Sequence, residues 1–191
     1  MPEPDLTVRL SETLLLVDDL LRHTEIPYAF GGAIALAYHV IQARGTTDLD
    51  VNLAAPAEAS AALLSLLPDA DWDDDTISHL EREGWVRVWL EGEIALDLFV
   101  PQHRFHDDLQ AAVETAPFKG REIPIVSAMH LTVLKTMFGR GKDFIDIASM
   151  LEAGSVDGEV ALAWTAELLG EDSPGHRRLA ELIETTPLRD A

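Results

Sequence analysis

A run of alternating polar and apolar residues, 48–53, is the feature that most constrains the fold. In Asp48-Leu-Asp-Val-Asn-Leu the apolar residues recur with the period of two that is typical of a half-buried β-strand. Asp48 and Asp50 then share the face opposite the core, about 7 Å apart at the ~3.3 Å rise of a strand. Desolvating an unpaired carboxylate costs several kcal/mol, so carboxylates in a sheet are paired or bind a metal ion. The strand therefore predicts a sheet that carries an acidic site on one face.

A third aspartate lies in a predicted antiparallel hairpin further along the chain. The two arms, 85–90 and 94–100, flank the turn signal Glu91-Gly-Glu. The apolar alternation of the second arm places Asp97 on the face away from the core. If that arm neighbours strand 48–53, the three aspartates meet at one place. Three carboxylates can hold one Mg²⁺, or two metal ions about 3.5–4 Å apart that stabilise the attacking and leaving oxygens of a phosphoryl or nucleotidyl transfer.

A glycine pair, Gly31-Gly32, precedes the acidic strand and lies between a short apolar run and helix-forming residues 33–39. Glycine lets a phosphate approach the backbone N–H groups, and a helix N-terminus favours anions. Such pairs also occur in plain turns. The order along the chain is therefore what indicates a nucleotide site: a glycine pair at a helix start, then Asp-x-Asp, then a third aspartate.

The rest of the chain predicts an α/β core at 1–126 and a helical subdomain at 127–191. Within the core, helical periodicity covers 11–23 and 56–67, and a further hairpin is expected at 118–126. The acidic stretch 69–75 is expected to be a solvated loop, because the spacing of a calcium-binding loop is missing. Four helices are predicted in the subdomain, at 127–138, 143–152, 157–169 and 175–185.

Composition limits the partners of the chain. Thirty-four acidic and fourteen basic residues give a formal net charge of −20, which repels nucleic acid at long range. The charge has two alternative explanations. It serves solubility, or it attracts a cationic substrate or a basic protein partner. Because cysteine is absent, a metal ion would bind through oxygen or imidazole. No apolar run approaches the ~20 residues that span a bilayer, and the acidic start lacks the basic flank of a signal peptide, so we expect a cytoplasmic protein without membrane contact.

Three segments together resemble a known superfamily. They are "AFGGAIALAYH…ARGTTDLDVNL" at 29–53, "ALDLF" at 95–99 and "LTVLKTMFGRGKDFIDIASML" at 131–151. They are similar to the nucleotidyltransferase superfamily with the DNA polymerase β-like palm fold, and within it to the AbiEii/AbiGii toxin-like proteins. The resemblance covers about 30–150 of the chain. It implies an α/β (α+β) fold in which a palm-like mixed sheet is flanked by helices and followed by a C-terminal helical subdomain.

The resemblance also implies roles for individual residues. Gly31 and Gly32 would cradle a nucleoside triphosphate. Asp48, Asp50 and Asp97 would be catalytic residues that bind Mg²⁺, with a two-metal site expected and Mn²⁺ as an alternative metal. Asp97 would also act as a general base on the acceptor hydroxyl.

Lys135 is a further catalytic candidate that the resemblance implies, because it lies in the family's later helical motif. Nucleotide-binding roles are implied for Arg44, Arg140, Lys142 and Asp146. Lys135 and Arg140 have an alternative interpretation as solvated helix residues.

Further alternatives remain for the residues around these candidates. Asp143 and Asp146, three apart on one helical face beside Lys142, are equally well explained by an internal salt-bridge network. Arg44 and Thr46 are expected to brace the loop before strand 48–53. Four more residues are expected to be structural: His39 at a helix end, His103 and His106 in a surface loop, and Ser127 as a helix cap.

We expect a nucleotidyltransferase that moves a nucleoside monophosphate from an NTP to an acceptor and releases pyrophosphate. The toxin-like resemblance implies an RNA end or a protein as acceptor and an antitoxin as partner. The acidity instead favours a small cationic acceptor, as in the aminoglycoside-modifying enzymes of the superfamily. A third hypothesis is a non-catalytic nucleotide-binding protein of the same fold, and the presence of all three carboxylates argues against it.

Overall fold

The computed structural model describes residues 6–67, 70–91 and 93–187. Within these residues the chain forms one mixed sheet in the order β3-β4-β2-β1-β6-β5. The pairs β2–β4 and β1–β6 are parallel, and the other neighbours are antiparallel. The strands are β1 (Tyr28–Phe30), β2 (Asp48–Leu53), β3 (Trp85–Leu90), β4 (Ile94–Phe99), β5 (Glu114–Phe118) and β6 (Arg121–Ile125). This mixed α/β architecture confirms the predicted fold class.

Nine helices accompany the sheet in the described part of the chain. They are α1 (Leu6–Thr24), α2 (Gly32–His39), α3 (Ala57–Leu66), α4 (Asp74–Glu83), α5 (Phe105–Ala111), α6 (Ala128–Phe138), α7 (Gly141–Glu152), α8 (Gly158–Leu169) and α9 (Pro174–Thr185). By their internal contacts the residues divide into two compact units. The first comprises the chain up to Ile34 together with Gly45–Ile125, and the second comprises Ala35–Arg44 and the chain from Val126 onward.

The core of the first unit forms from the two periodicities visible in the sequence. Leu49 and Val51 of β2 are fully buried, as the alternation predicts. Leu14, Val17 and Leu21 of α1 are also fully buried, because residues three or four apart lie on one face of a helix. The hairpin of β3 and β4 is confirmed, and its register pairs Leu90 with Ile94 across the turn.

Two local predictions in the first unit were wrong. His106 lies in helix α5, not in a surface loop; Phe105 and Leu109 of this helix are buried one turn apart. Two aspartates in the first turn favour the helix, because negative charge at the N-terminus complements the helix dipole. The acidic stretch is also not a loop throughout, since α4 begins at Asp74 behind a capping box in which Asp73 accepts from the Thr76 N–H. Asp69 lies outside the described residues.

The second unit contains helices and no strand among its described residues. Each of the four predicted subdomain helices is present, with ends within about two residues of the expected bounds. Fully buried side chains on α6, α7 and α9 form its core; they are Val133, Ile147, Met150 and Leu179. Among the described residues, no helix has both the length and the apolar character needed to cross a membrane.

Candidate functional site

The parallel pairing of β2 and β4 places the three aspartates on one face of the sheet. Asp50 pairs with Asp97, and Asp48 pairs with Ala95. Side chains at paired positions of neighbouring strands point to the same face, and residues two apart on a strand share it. The sequence predicted that the three aspartates meet if the strand of Asp97 lies beside strand 48–53, and the two strands do pair. Asp97 is 7% exposed, whereas Asp48 and Asp50 are partly exposed.

Arg87 enters this cluster from β3, and the sequence analysis did not predict it. It pairs with Asp97 in the β3–β4 register. Its Nε donates to Asp97 Oδ1 at 2.6 Å and its Nη2 donates to Asp97 Oδ2 at 2.7 Å. Nη2 also lies 3.4 Å from Asp48 Oδ2. This is a bidentate guanidinium–carboxylate pair, the strongest geometry for such an interaction.

The electrostatics of Arg87 follow from these contacts. The hydrogen bond to Asp97 raises the pKa of Arg87 above its ordinary value, and the charges of Asp97, Asp48 and Asp50 raise it further, although burial opposes the shift. Arg87 is therefore a cation that neutralises part of the acidic cluster. The predicted hairpin could have identified it. Pairing residues symmetrically across Glu91-Gly-Glu places position 87 opposite position 97.

Thr46 holds the first aspartate in place. Its hydroxyl lies 2.6 Å from Asp48 Oδ1 and 3.3 Å from the Asp48 backbone N–H, which donates to it. Local hydrogen bonds of this kind are typical of threonine beside an aspartate at the start of a strand. Thr46 thus braces the entry to β2, which is the role that the sequence predicted for it.

The glycine pair lies against the second aspartate. The Gly31 N–H donates to the Asp50 carbonyl at 2.8 Å. Gly32, the first residue of α2, has a φ of +51°, and a Cβ there would lie 1.8 Å from Asp50 Oδ2. Only glycine fits this position, because any Cβ would overlap the carboxylate. The observed role of Gly32 is to admit the Asp50 carboxylate to the start of α2; its predicted role in cradling a triphosphate stays a prediction.

A second ionic network lies in the second unit. Lys135 of α6, 4% exposed, donates from Nζ to Asp146 Oδ2 at 2.7 Å. Arg44 donates from Nε and Nη2 to the two oxygens of Asp146, at 3.0 and 2.9 Å. Arg140 bonds Asp143 in the same way, with 2.7 Å from Nε to Oδ2. Lys135 is therefore not a solvated helix residue, and the internal salt-bridge network that the sequence offered as an alternative is present.

This network fixes the charge of Asp146. Burial alone would raise the pKa of Asp146, but the hydrogen bonds from Arg44 and Lys135 outweigh it and hold the pKa below its ordinary value. Arg140 and Lys142 are exposed at the start of α7. Arg140 also lies over the Phe138 ring, 4.9 Å from its centroid. Lys135 and Asp146 are thus held by each other, while these two cations reach solvent.

The predicted site residues fall into two groups. The first unit holds Gly31, Gly32, Asp48, Asp50 and Asp97, and the second holds Arg44, Lys135, Arg140, Lys142 and Asp146. Two other predicted positions are structural. His39 bonds the Val126 carbonyl through Nε2 at 2.8 Å, and Ser127 occupies the N-cap of α6 but bonds His130 instead of capping with its side chain.

The three aspartates, Asp48, Asp50 and Asp97, supply the ligand type that a divalent cation prefers. Their side chains are not arranged around a common metal position in this structure. Carboxylate oxygens are the ligands that Mg²⁺ prefers. Across residues 6–67, 70–91 and 93–187, however, no group of three or more histidine, aspartate or glutamate side chains is arranged to hold a metal ion. At Asp97 both carboxylate oxygens accept hydrogen bonds from Arg87.

Comparisons with known proteins identify the fold. No family model matches the sequence, and no curated protein matches it. A nucleotidyltransferase-like antigenic protein from Paracoccidioides brasiliensis superimposes with a TM-score of 0.50 at 16% identity, over 94% of each chain. The antibiotic-resistance factor ANT(2″)-Ia superimposes with a TM-score of 0.51 at 12% identity, over 93% of this chain and 90% of its own. A structure of ANT(2″)-Ia in complex with adenylyl-2″-tobramycin gives 0.51 at 13% identity, over 92% and 98%.

At these identities the comparisons establish the fold and no more. The chain has a nucleotidyltransferase-like fold, as the motifs led us to expect. The narrower resemblance to the AbiEii/AbiGii toxin-like proteins stays a prediction.

Proposed function

We propose that this protein transfers a nucleoside monophosphate from an NTP to an acceptor. The observation that carries the proposal is the register of β2 and β4, which puts Asp50 beside Asp97 on one sheet face. Gly32 at the start of α2 lies against the same cluster. In the transfer an acceptor oxygen forms a bond to the α-phosphorus, the bond from that phosphorus to the bridging oxygen breaks, and pyrophosphate leaves. The acceptor proton would pass to a carboxylate of the cluster, with Asp97 as our candidate base.

Magnesium remains part of this proposal. Asp48, Asp50 and Asp97 are the residues that would hold it, with Mn²⁺ as an alternative, once Asp97 is released by Arg87. The bound ion would supply positive charge to the phosphate oxygens. In the second unit, the exposed Arg140 and Lys142 are our candidates for phosphate contacts, since guanidinium and ammonium groups bind phosphate well.

The acceptor is proposed from charge. With a net charge of −20, long-range repulsion disfavours an RNA acceptor at low salt. A small cationic acceptor is attracted by the same field. One structural neighbour, ANT(2″)-Ia, was determined with adenylyl-2″-tobramycin, which supports a small-molecule acceptor for this fold. An RNA end or protein acceptor, with an antitoxin as partner, is the competing proposal.

A second candidate function is nucleotide binding without turnover. The Arg87–Asp97 pair favours it, because both oxygens of Asp97 accept from the guanidinium and the carboxylate is then not placed to take the proton of an acceptor hydroxyl. This candidate predicts NTP binding but no labelled product with any acceptor.

The test is incubation of the purified chain with each α-labelled NTP, Mg²⁺ and a total cell extract. The wild type should label one class of product, and Asp48→Asn should abolish the label without loss of folding. Asp75→Asn is the matched control, since Asp75 is an exposed aspartate in the first turn of α4. Label that is the same in Asp48→Asn and wild type contradicts the proposed site. NTP binding without label in any fraction favours the non-catalytic candidate.

A further inference from the structure

Both carboxylate oxygens of Asp97 accept hydrogen bonds from one arginine. Arg87 donates to each of its oxygens and approaches Asp48 as well. A divalent cation on the same oxygens, at about 2.1 Å, would lie within roughly 5 Å of the guanidinium. Positive charges repel strongly at that separation in a partly buried site. The hydrogen-bonded pair of Arg87 with Asp97, called the Arg87 clamp below, and a metal ion on Asp97 therefore disfavour each other.

Arg87 lies on a partly exposed strand at the end of the sheet order. The Arg87 side chain is 40% exposed, and β3 stands at one end of the strand order. Its neighbours on the same strand face, Trp85 and Trp89, are 40% and 43% exposed. A long side chain in such a position can rotate without disturbing a packed core. The Lys135–Asp146 pair offers a contrast, because its side chains are only 6% and 5% exposed.

We propose that Arg87 is a built-in counter-ion that competes with a divalent cation for Asp97, so that metal entry and release of the Arg87 clamp are one event. The inference rests on the proposed function, since it assumes that Asp97 takes a metal ion. It gives Arg87 a positioning role: it fixes the orientation of the Asp97 carboxylate while the metal is absent, and it sets the metal concentration at which the three aspartates bind the ion.

The first test uses the wild-type chain and needs no variant. Arginine Nε–H groups are observed by ¹⁵N NMR, and the Arg87 Nε–H should differ from exposed arginines because it is hydrogen-bonded at 2.6 Å. Titration with Mg²⁺ alone should move this signal towards the position of a solvated arginine. The midpoint should match that of Mg²⁺ binding measured by calorimetry. A signal that stays in place at saturating Mg²⁺ overturns the inference.

The second test compares metal affinity between variants, with Mn²⁺ alone as the probe and electron paramagnetic resonance as the readout. Binding that persists in Asp48→Asn is subtracted as non-specific. Arg87→Gln should tighten the remaining site by about tenfold or more, because the metal no longer breaks two charge-assisted hydrogen bonds. Arg87→Lys keeps the charge but cannot span both oxygens, so its affinity should be intermediate. Arg82→Gln is the matched control, since Arg82 is an exposed arginine paired with Glu83 on α4, and it should bind as the wild type does.

The outcomes separate this inference from the proposed function. Labelled product from the wild type, together with equal or weaker Mn²⁺ affinity in Arg87→Gln, overturns the inference alone. Tighter Mn²⁺ binding in Arg87→Gln without labelled product from either protein supports the inference and overturns the transferase proposal. If Arg87→Gln does not fold, Arg87→Lys and the wild-type NMR titration decide the question.

Discussion

Replacing Gly32 by alanine should damage the fold through one identifiable contact. Gly32 has a φ of +51°, and an added Cβ would lie 1.8 Å from Asp50 Oδ2 and 2.4 Å from Asp50 Cγ. The left-handed backbone alone costs an alanine about 1–2 kcal/mol. Displacing the Asp50 carboxylate should add about 1–3 kcal/mol, the usual range for forcing extra volume into a packed site.

Gly120→Ala is the matched control for the backbone term. Gly120 has a φ of +84°, in the turn between β5 and β6, and a Cβ there meets nothing within 4 Å. Its substitution should cost only the conformational part, about 1–2 kcal/mol. The difference between the two variants therefore isolates the overlap with Asp50. At roughly 2–4 °C per kcal/mol for a chain of this size, an excess of about 2 kcal/mol lowers the melting temperature by about 4–8 °C more than the control does.

The assay is thermal and urea unfolding of both variants, each in the wild-type and the Asp50→Ala background. Asp50→Ala removes Oδ2 and Cγ and leaves its Cβ, 3.0 Å from the added one. In that background the cost of Gly32→Ala should fall close to that of Gly120→Ala, giving a coupling energy between positions 32 and 50. Equal costs for Gly32→Ala in both backgrounds, or a cost no larger than that of Gly120→Ala, would refute the reasoning.

Three further predictions concern stability. Lys135→Met should destabilise the chain by about 2–3 kcal/mol in urea unfolding, since it takes the ammonium away from buried Asp146 and leaves the Arg44 guanidinium bonded to it. Because the pKa of folded Asp146 is held below its ordinary value, its contribution is present at neutral pH and is lost as the pH falls below about 4. Unfolding free energies between about pH 3 and pH 6 should therefore fall less steeply with acid in Asp146→Asn than in the wild type. Tyr28→Phe should cost about 1–2 kcal/mol, because the Tyr28 hydroxyl donates to buried Asp18; an unchanged melting temperature would contradict that.

The three aspartates of the candidate site could be predicted from the sequence. Period-two alternation put Asp48 and Asp50 on one face, and the hairpin signal placed Asp97 on a strand. The pairing of β2 with β4 could only be stated as a condition, because parallel pairing joins segments far apart in the chain. The pairing of Arg87 with Asp97 could also have been predicted, because symmetric pairing across the hairpin turn places position 87 opposite position 97.

Other features could not be predicted because they depend on tertiary packing. Helix α5 is seven residues long and rests on Phe105 and Leu109, too few apolar positions to establish a helical period. Lys135 can be buried because its ammonium bonds Asp146, which lies on the following helix, α7. A lysine on a helix is exposed unless a buried partner holds it, so the sequence offered a catalytic and a solvated interpretation of Lys135 but not its burial against Asp146.

The two carboxylate networks have different consequences for mutagenesis. The Arg87–Asp97 pair is solvent-accessible on the Arg87 side, so breaking it should change ion binding more than stability. The Lys135–Asp146 pair is buried, so breaking it removes folding free energy first. Lost transfer in Lys135→Met would therefore follow from unfolding as readily as from a catalytic role. A variant that keeps a cation for Asp146, such as Lys135→Arg, separates the two: if it remains as stable as the wild type and still loses transfer, Lys135 acts in the reaction and not only in the fold.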